Sequence, residues 1–290
     1  MRWQRSRERL IEGMIRLCGI SSIVIVALIF LFLLKEGMVL FRTVPIGDFL
    51  GGQRWYPISE PPRFGILPLI LGSCAVTFGA AALSVPLGIA SALFFAEIAR
   101  GWTKEALKTG IELLAAIPSV VFGFIGIAVL VPAIKQFFHL PTGLTALSGA
   151  LTLAFMALPT IVSITEDALA AVPRGHREAA LALGATQWQM MWRVLLPAAG
   201  SGIVAAVMLG IGRVIGETMA VMMVTGNAAV IPRSLLQPVR TMTATIAAEM
   251  GETVRGSDHY FALFAIGIVL FAISFLVNLI ADVFLHRERS

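Results

Sequence analysis

The chain is poor in charge. Only 13% of its 290 residues are Asp, Glu, Lys or Arg, whereas soluble domains carry about a quarter. It has two cysteines and four histidines. Cys18 and Cys74 both stand in apolar runs, which excludes a disulfide framework and a cysteine-rich metal site. The scattered histidines lack ligand spacing. No Gly-Lys pair occurs anywhere, so there is no G-x-x-x-x-G-K-[ST] phosphate loop and no ATP binding by that means. No Ser/His/Asp, Cys/His or paired-carboxylate arrangement lies at a matching depth, and covalent catalysis is not expected of this chain.

What fills the sequence instead is apolar surface. Hydrophobic residues make up 58% of the chain, and the mean hydropathy is +0.88. A soluble domain this apolar would expose large sticky patches. Here the apolar residues fall into long, evenly spaced runs, and a helix needs about 20 of them to cross the hydrocarbon. The runs are Leu17–Leu34, a stretch within Phe64–Ala96, Leu113–Ile134, Leu144–Thr165, Gly202–Gly226 and Phe261–Leu285. Phe64–Ala96 is longer than one span, and Pro68 and Pro86 are expected to break or tilt it. The fold class expected is an all-α integral membrane protein with six transmembrane helices. The N-terminus, basic and then apolar, imitates a secretory leader. Its apolar run is too long for one, however, and Lys35-Glu36-Gly37 follows in place of a small-residue cleavage site. It reads as a retained anchor.

The net charge of +5 does not point to nucleic acid, because the Lys and Arg residues sit beside apolar runs rather than on a soluble face. Membrane lipids are their natural neighbours. An even number of spans puts both termini on one side. If that side is the cytoplasm, the inner segments hold thirteen Lys and Arg and the outer segments eight. The cluster Arg2, Arg5, Arg7, Arg9 and Arg16 stands beside the first span. This bias predicts that both termini and residues 166–197 are cytoplasmic, with 35–63 and 227–260 external. The organisation expected is a cytoplasmic N-terminus (1–16), a first transmembrane anchor (17–34), an external loop (35–65) and a transmembrane domain of five helices (66–285). The first external loop carries Gly51-Gly52 and Pro61-Pro62 and is expected to be an irregular cap. No internal repeat is visible, which weighs against a secondary carrier.

The segment after the fourth span reads EDALAAVPRGHREAALALGATQWQMMWRVLLPAAG. Pro173 and Gly175 end the outgoing helix. Arg177–Leu183 holds good helix formers, Gly184 suits the closing C′ position, and Thr186 with Gln189 forms a capping box that starts the next helix. Two short helices therefore meet at a glycine turn, with apolar Leu181, Leu183 and Trp188 in need of cover. Either a cytoplasmic partner covers them or the segment lies on the membrane surface.

In this loop, Glu178-Ala179-Ala180, then Gly184 after three residues, then Val194-Leu195-Leu196-Pro197 after nine, resemble the EAA loop of ABC importer permeases. The resemblance covers residues 66–285 and implies a type I importer permease fold. In that family the loop seats a short coupling helix in a cleft of an ATP-binding subunit. It implies coupling roles for Arg177, Glu178, Ala179, Ala180 and Gly184, and it places ATP and Mg on a partner ATPase dimer, with no cofactor in this chain.

The fifth span contains GIGRVIGETMAVMMVTGN, with Arg213 near its middle and Glu217 four residues on. A charge at that depth costs about 2.5–3.5 kcal/mol on insertion scales, so both are expected in the protein interior. At i, i+4 they could pair on one helix face. Either they tie helices together, or Arg213 faces the translocation pathway with Glu217 tempering it, the planar guanidinium fork suiting an oxyanion. Gly210, Gly212 and Gly216 would admit a neighbouring helix closely.

Three stretches, Ala116–Gly123, Arg213–Thr218 and Pro238–Glu252, together resemble the phosphate importer permeases, and GETMAVMMVTGN with the long loop after it resembles their C-type subunit. That resemblance implies inorganic phosphate as the solute and an A-type permease as heterodimer partner. It also implies an ATPase dimer and a periplasmic or lipid-anchored phosphate-binding protein, in the inner membrane. Another oxyanion or small nutrient is the alternative solute.

Overall fold

A computed structural model describes the backbone of residues 2–287, and the side chains of residues 11–280 and of Val283. The side chains of Arg2, Arg5, Arg7 and Arg9 lie outside the described residues. In a medium without water, every backbone N–H must find its carbonyl within its own segment, and the apolar runs accordingly become helices. In chain order these are α1 (Arg2–Leu40), α2 (Ile46–Gly51), a two-residue ladder of β1 (Trp55–Tyr56) and β2 (Arg63–Phe64), and α3 (Leu67–Leu93). After them come α4 (Trp102–Ala116), α5 (Ser119–Ile125), α6 (Val131–Phe137) and α7 (Ala146–Ala171). The chain continues with α8 (Arg174–Ala182), α9 (Gln187–Met190), α10 (Leu196–Ala198) and α11 (Gly200–Ile215). It closes with α12 (Met219–Val224), α13 (Met242–Glu249) and α14 (Asp258–Arg287). Three π-helical turns, Phe94–Ile98, Gly126–Leu130 and Met191–Leu195, continue α3, join α5 to α6, and join α9 to α10.

Among the described residues, five helices are long and apolar enough to cross a membrane: Ile11–Leu40, Leu67–Ile98, Ser119–Phe137, Ala146–Ala171 and Asp258–Ile280. A bent pair, Gln187–Ala198 with Gly200–Ile215, turns by 73° and makes six if the two parts count as one span.

The spans depart from expectation where proline and glycine stand. Pro68 occupies the first turn of α3, where its missing N–H is harmless, and Pro86 lies inside the continuous helix. Neither ends it. The third span is not Leu113–Ile134. Pro118 forces Ile117 into an extended conformation (φ −69°, ψ 127°), so Leu113–Ala116 close α4 and the crossing starts at Ser119. The fifth run is not one helix either. At 16 residues, α11 spans about 24 Å of a roughly 30 Å core, and it stops before Gly216. The first anchor belongs to a 39-residue helix that includes both the residues expected as a cytoplasmic tail and part of the expected external loop. That loop is ordered beyond an irregular cap: it holds α2 and the antiparallel ladder, with Trp55 opposite Phe64.

Helices α3 and α7 form the most extensive pair. Small residues recur every fourth position on the buried face of α3: Gly72, Val76, Ala80, Ser84, Gly88 and Ala92. A Cβ on Gly88 would stand 2.6 Å from the Ile161 side chain of α7, so the helices lie this close only because that position is bare. Around this pair lie three apolar clusters. The first joins α3, α7, α11 and α12 at mid-height. The second joins α1, α2, the ladder, α13 and α14 at one end, called here the cap end. The third joins the end of α3 and of α7 to α8, α9 and the residues that follow, at the opposite, hairpin end.

Candidate functional site

The hairpin end presents α8 and α9 as a compact turn. Val172, before Pro173, is extended and releases the chain from α7. Helix α8 then closes with paired bonds that satisfy its last carbonyls: Gly184 N–H donates to Leu181 O at 3.0 Å, and Ala185 N–H to Ala180 O at 3.1 Å. Gly184 takes φ +83° with open space around it. Glycine is thus needed for its backbone freedom rather than its size. The capping box is formed: Gln189 N–H donates to Thr186 Oγ1 at 3.2 Å, and Thr186 N–H to Gln189 Oε1 at 2.9 Å.

The two faces of this turn differ. Ala180, Met190 and Met191 are buried against the ends of α3 and α7. Outward stand Leu183, 89% exposed, and Trp188, 63% exposed, with Trp192 edge-on to Trp188 at 5.6 Å. Of the residues singled out in the sequence, Glu178, Ala179 and Gly184 are exposed and Ala180 is buried. Arg177 is turned inward. Its Nε lies 3.0 Å from Glu97 Oε1, and its Nη2 donates to the Leu169 carbonyl at 2.9 Å. Beside it, Glu166 faces Lys104 and Lys108 of α4, each at 3.5 Å. Glu166 itself belongs to α7, so the connection between spans begins six residues later than expected.

The second region is the break at Gly216–Thr218 between α11 and α12. The Arg213–Glu217 pair that i, i+4 spacing would allow does not form, because the helix that would align them ends at Ile215. Glu217 Oε1 instead accepts from Ala220 N–H at 3.2 Å, taking up a free donor at the start of α12. Arg213 is exposed on the surface of this chain, with Thr160 Oγ1 of α7 at 3.4 Å from Nη1. The three stretches read together in the sequence do meet here. A Cβ on Gly123 would stand 2.7 Å from Met223 Sδ and 3.0 Å from Ala220 Cα, so α5 lies directly on α12. Thr243 of α13 donates to the Glu217 carbonyl at 2.9 Å. Of the three glycines, only Gly210 admits a helix, against Ile161 of α7. Gly212 faces open space.

At the cap end, Glu249 accepts from Trp55 Nε1 at 3.1 Å and from Arg240 Nη1 at 2.5 Å, with His259 Nε2 at 2.8 Å. Arg240 Nε also donates to Asn227 O. These groups line a cavity of about 840 Å³. Sequence reasoning did not find Glu97, Trp192, Thr160 or this cap cluster. For Glu97 a signal existed: it is the first charge after the long uncharged run from Phe64.

With this geometry in view, the comparisons with known proteins are specific. Residues 84–290 match the family described as binding-protein-dependent transport system inner membrane component. The chain is 44% identical over 274 residues to a probable ABC transporter permease of Bacillus subtilis, covering 94% of this chain and 89% of that protein. It is 38% identical over 259 residues to a phosphate transport system permease of Mesorhizobium japonicum, covering 83% and 78%. Among solved structures it resembles an inward-facing methionine ABC transporter (TM-score 0.63, 19% identity, covering 80% of this chain and 99% of that one). It also resembles a bacterial transporter that imports alginate (TM-score 0.62, 17% identity, covering 96% and 99%). These two share its fold.

Proposed function

The chain belongs to the family of binding-protein-dependent transport system inner membrane components, and from that premise we propose that it forms half of the pathway of an ATP-driven phosphate importer. It is a multi-pass membrane component with the type I importer permease fold. In this reading it pairs with a different, A-type permease. A periplasmic or lipid-anchored phosphate-binding protein delivers the anion at the cap end. An ATPase dimer, holding ATP and Mg, docks at the hairpin end.

The observation that carries the reading is the hairpin: Leu181, Leu183, Trp188 and Trp192 stand outward on a turn whose backbone bonds are satisfied internally. Such a rigid apolar knob fits a cleft in a partner better than a shifting surface. The phosphate assignment is supported by relatives that cover most of their length and by the surroundings of Arg213. Facing lipid, that exposed guanidinium would cost about 2.5–3.5 kcal/mol. A partner permease or a water-filled pathway must therefore cover its face. Glu217, tied to α12, sets how strongly the field holds an anion, and binding must stay weak enough for release.

The test is uptake by the reconstituted complex of both permeases, the ATPase and the binding protein. ATP-dependent uptake of phosphate but not of sulfate or molybdate is expected. Preference for another oxyanion overturns the phosphate assignment, and uptake driven by an ion gradient without ATP overturns the importer reading. Topology has its own check. A cysteine at Gln187 in a cysteine-free background should stay unlabelled by impermeant reagent added outside, and labelling there would reverse the orientation.

A further inference from the structure

We propose that the Glu97–Arg177 ion pair is the mechanical link by which movement of the hairpin reaches the transmembrane helices. Glu97 is then a positioning residue for coupling, and Arg177 acts inside this chain rather than on the ATPase. This rests on the importer reading above.

The geometry separates Arg177 from its neighbours on α8. Glu178 and Ala179 are exposed and free to meet a partner. The Arg177 side chain is only 22% exposed and the Glu97 side chain 14%, so the pair lies largely inside the fold. Through Arg177, α8 is fastened to two elements at once: Glu97, in the π-helical turn that ends α3, and the Leu169 carbonyl, in the last turn of α7. These are the ends of the two most closely packed helices. Apolar contact alone, Ala180 on Met190, Met191 and Leu195, would permit sliding, since dispersion is not directional. The guanidinium adds a charge attraction to Glu97 and a directed bond from Nη2 to the Leu169 carbonyl, and the directed bond fixes orientation as well as distance.

The π-helical turn has a part in this. Turns with i→i+5 bonding recur at functional positions. Here Ala99 N–H donates to Phe94 O at 2.8 Å, which closes the helix around the turn that carries Glu97. Lys104 and Lys108 face Glu166 rather than Glu97, so the pair is not diluted by a nearer cation among the described residues.

The test uses the full complex in proteoliposomes with Glu97→Gln, Arg177→Gln, the double neutral variant and Glu97→Asp. The readout is solute transported per ATP hydrolysed. A merely structural pair would lower assembly or both rates together and leave that ratio alone. The expected result is a fall in the ratio of about tenfold for each single variant, the size of a typical coupling between sites. The double variant should be no worse than either single, as for residues acting as one unit, and Glu97→Asp should recover most of the ratio. A normal ratio in Glu97→Gln, or losses that multiply in the double variant, overturns the proposal.

A second measurement does not depend on the solute. Spin labels at Ala182 and Ile98, both exposed, should keep one separation through the ATP cycle in the unmodified chain and spread to several in Glu97→Gln. An unchanged distribution in Glu97→Gln also overturns the link. If the unmodified complex takes up no phosphate, the substrate assignment fails, while the label distances still decide the role of Glu97.

Discussion

The hairpin and the membrane break are both interruptions of helix, but they are held in different ways. The hairpin carries its own instructions. Within the seventeen residues from Pro173 to Gln189 it has a proline to leave α7, a glycine to close α8 and a capping box to start α9, and the bonds that close α8 and cap α9 join residues no more than five apart. The break at Gly216–Thr218 has local bonds as well, Ala220 N–H to Glu217 Oε1 and Thr218 Oγ1 to the Gly216 carbonyl, but it also leans on distant segments. Its form depends on α5 lying against Met223 and Ala220, on Thr243 reaching back to the Glu217 carbonyl, and on Thr160 beside Arg213. A locally encoded turn can serve as a rigid part handed to a partner. A break assembled from distant segments responds when those segments move, which suits a gate.

The contrast can be broken most completely at Gly184. A bulky residue at φ +83° meets a cost of about 1–2 kcal/mol from backbone sterics alone, and Gly184→Val should abolish uptake. Membrane insertion and the thermal transition of the helix bundle should stay nearly unchanged, because the strain stays local. Size-exclusion profiles and uptake on the same preparation check both halves. At the break, Arg213→Gln should cut uptake at least tenfold, taking about 1.5–3 kcal/mol for a lost bond to a charged group. The double variant Arg213→Gln with Glu217→Gln sharpens this. If it assembles, hydrolyses ATP under coupling and imports phosphate normally, neither charge serves the pathway and both are structural.

Smaller effects belong to the hairpin surface. Leu183→Ala with Trp188→Ala should weaken copurification of the ATPase while leaving the turn intact, at about 1–2 kcal/mol for each anchor. Thr186→Ala should cost least, about 1 kcal/mol for a lost cap. It should be visible as faster amide exchange in α9 and not at Gly216–Thr218.

The same contrast explains what could be read in advance. The EAA loop, its turn and its capping box were legible because their physics is local and their residue types are few. The existence of the crossings was legible from the apolar runs, and their number to within the bent fifth run, which leaves five or six. Where they start and stop was less so. Pro118 shifts the third crossing by acting on Ile117, whereas Pro86 lies inside an unbroken α3. The Arg213–Glu217 pair was allowed by spacing on a helix that in fact ends between them. Arg177 was placed on the partner side by its position in the motif, and only the end of α3, eighty residues earlier, reveals that it turns inward. The small-residue stripe from Gly72 to Ala92 was present in the sequence, since a strict period of four is visible without coordinates. Its partner, α7, was not.

That stripe has a consequence for how force travels. Helix α7 has 26 residues, a rod of about 39 Å, packed along its length on α3 through positions small enough to bring the two helices close. A motion that keeps this packing turns the two together, with the hairpin at one end of the rod. A rotation of about 5° applied there displaces the far end of such a rod by about 3 Å, comparable to the width of a dehydrated ion's passage. Glycine and alanine along that seam, which contribute little to the chemistry of any solute, thereby set how close the two rods lie and how far a turn at one end carries to the other.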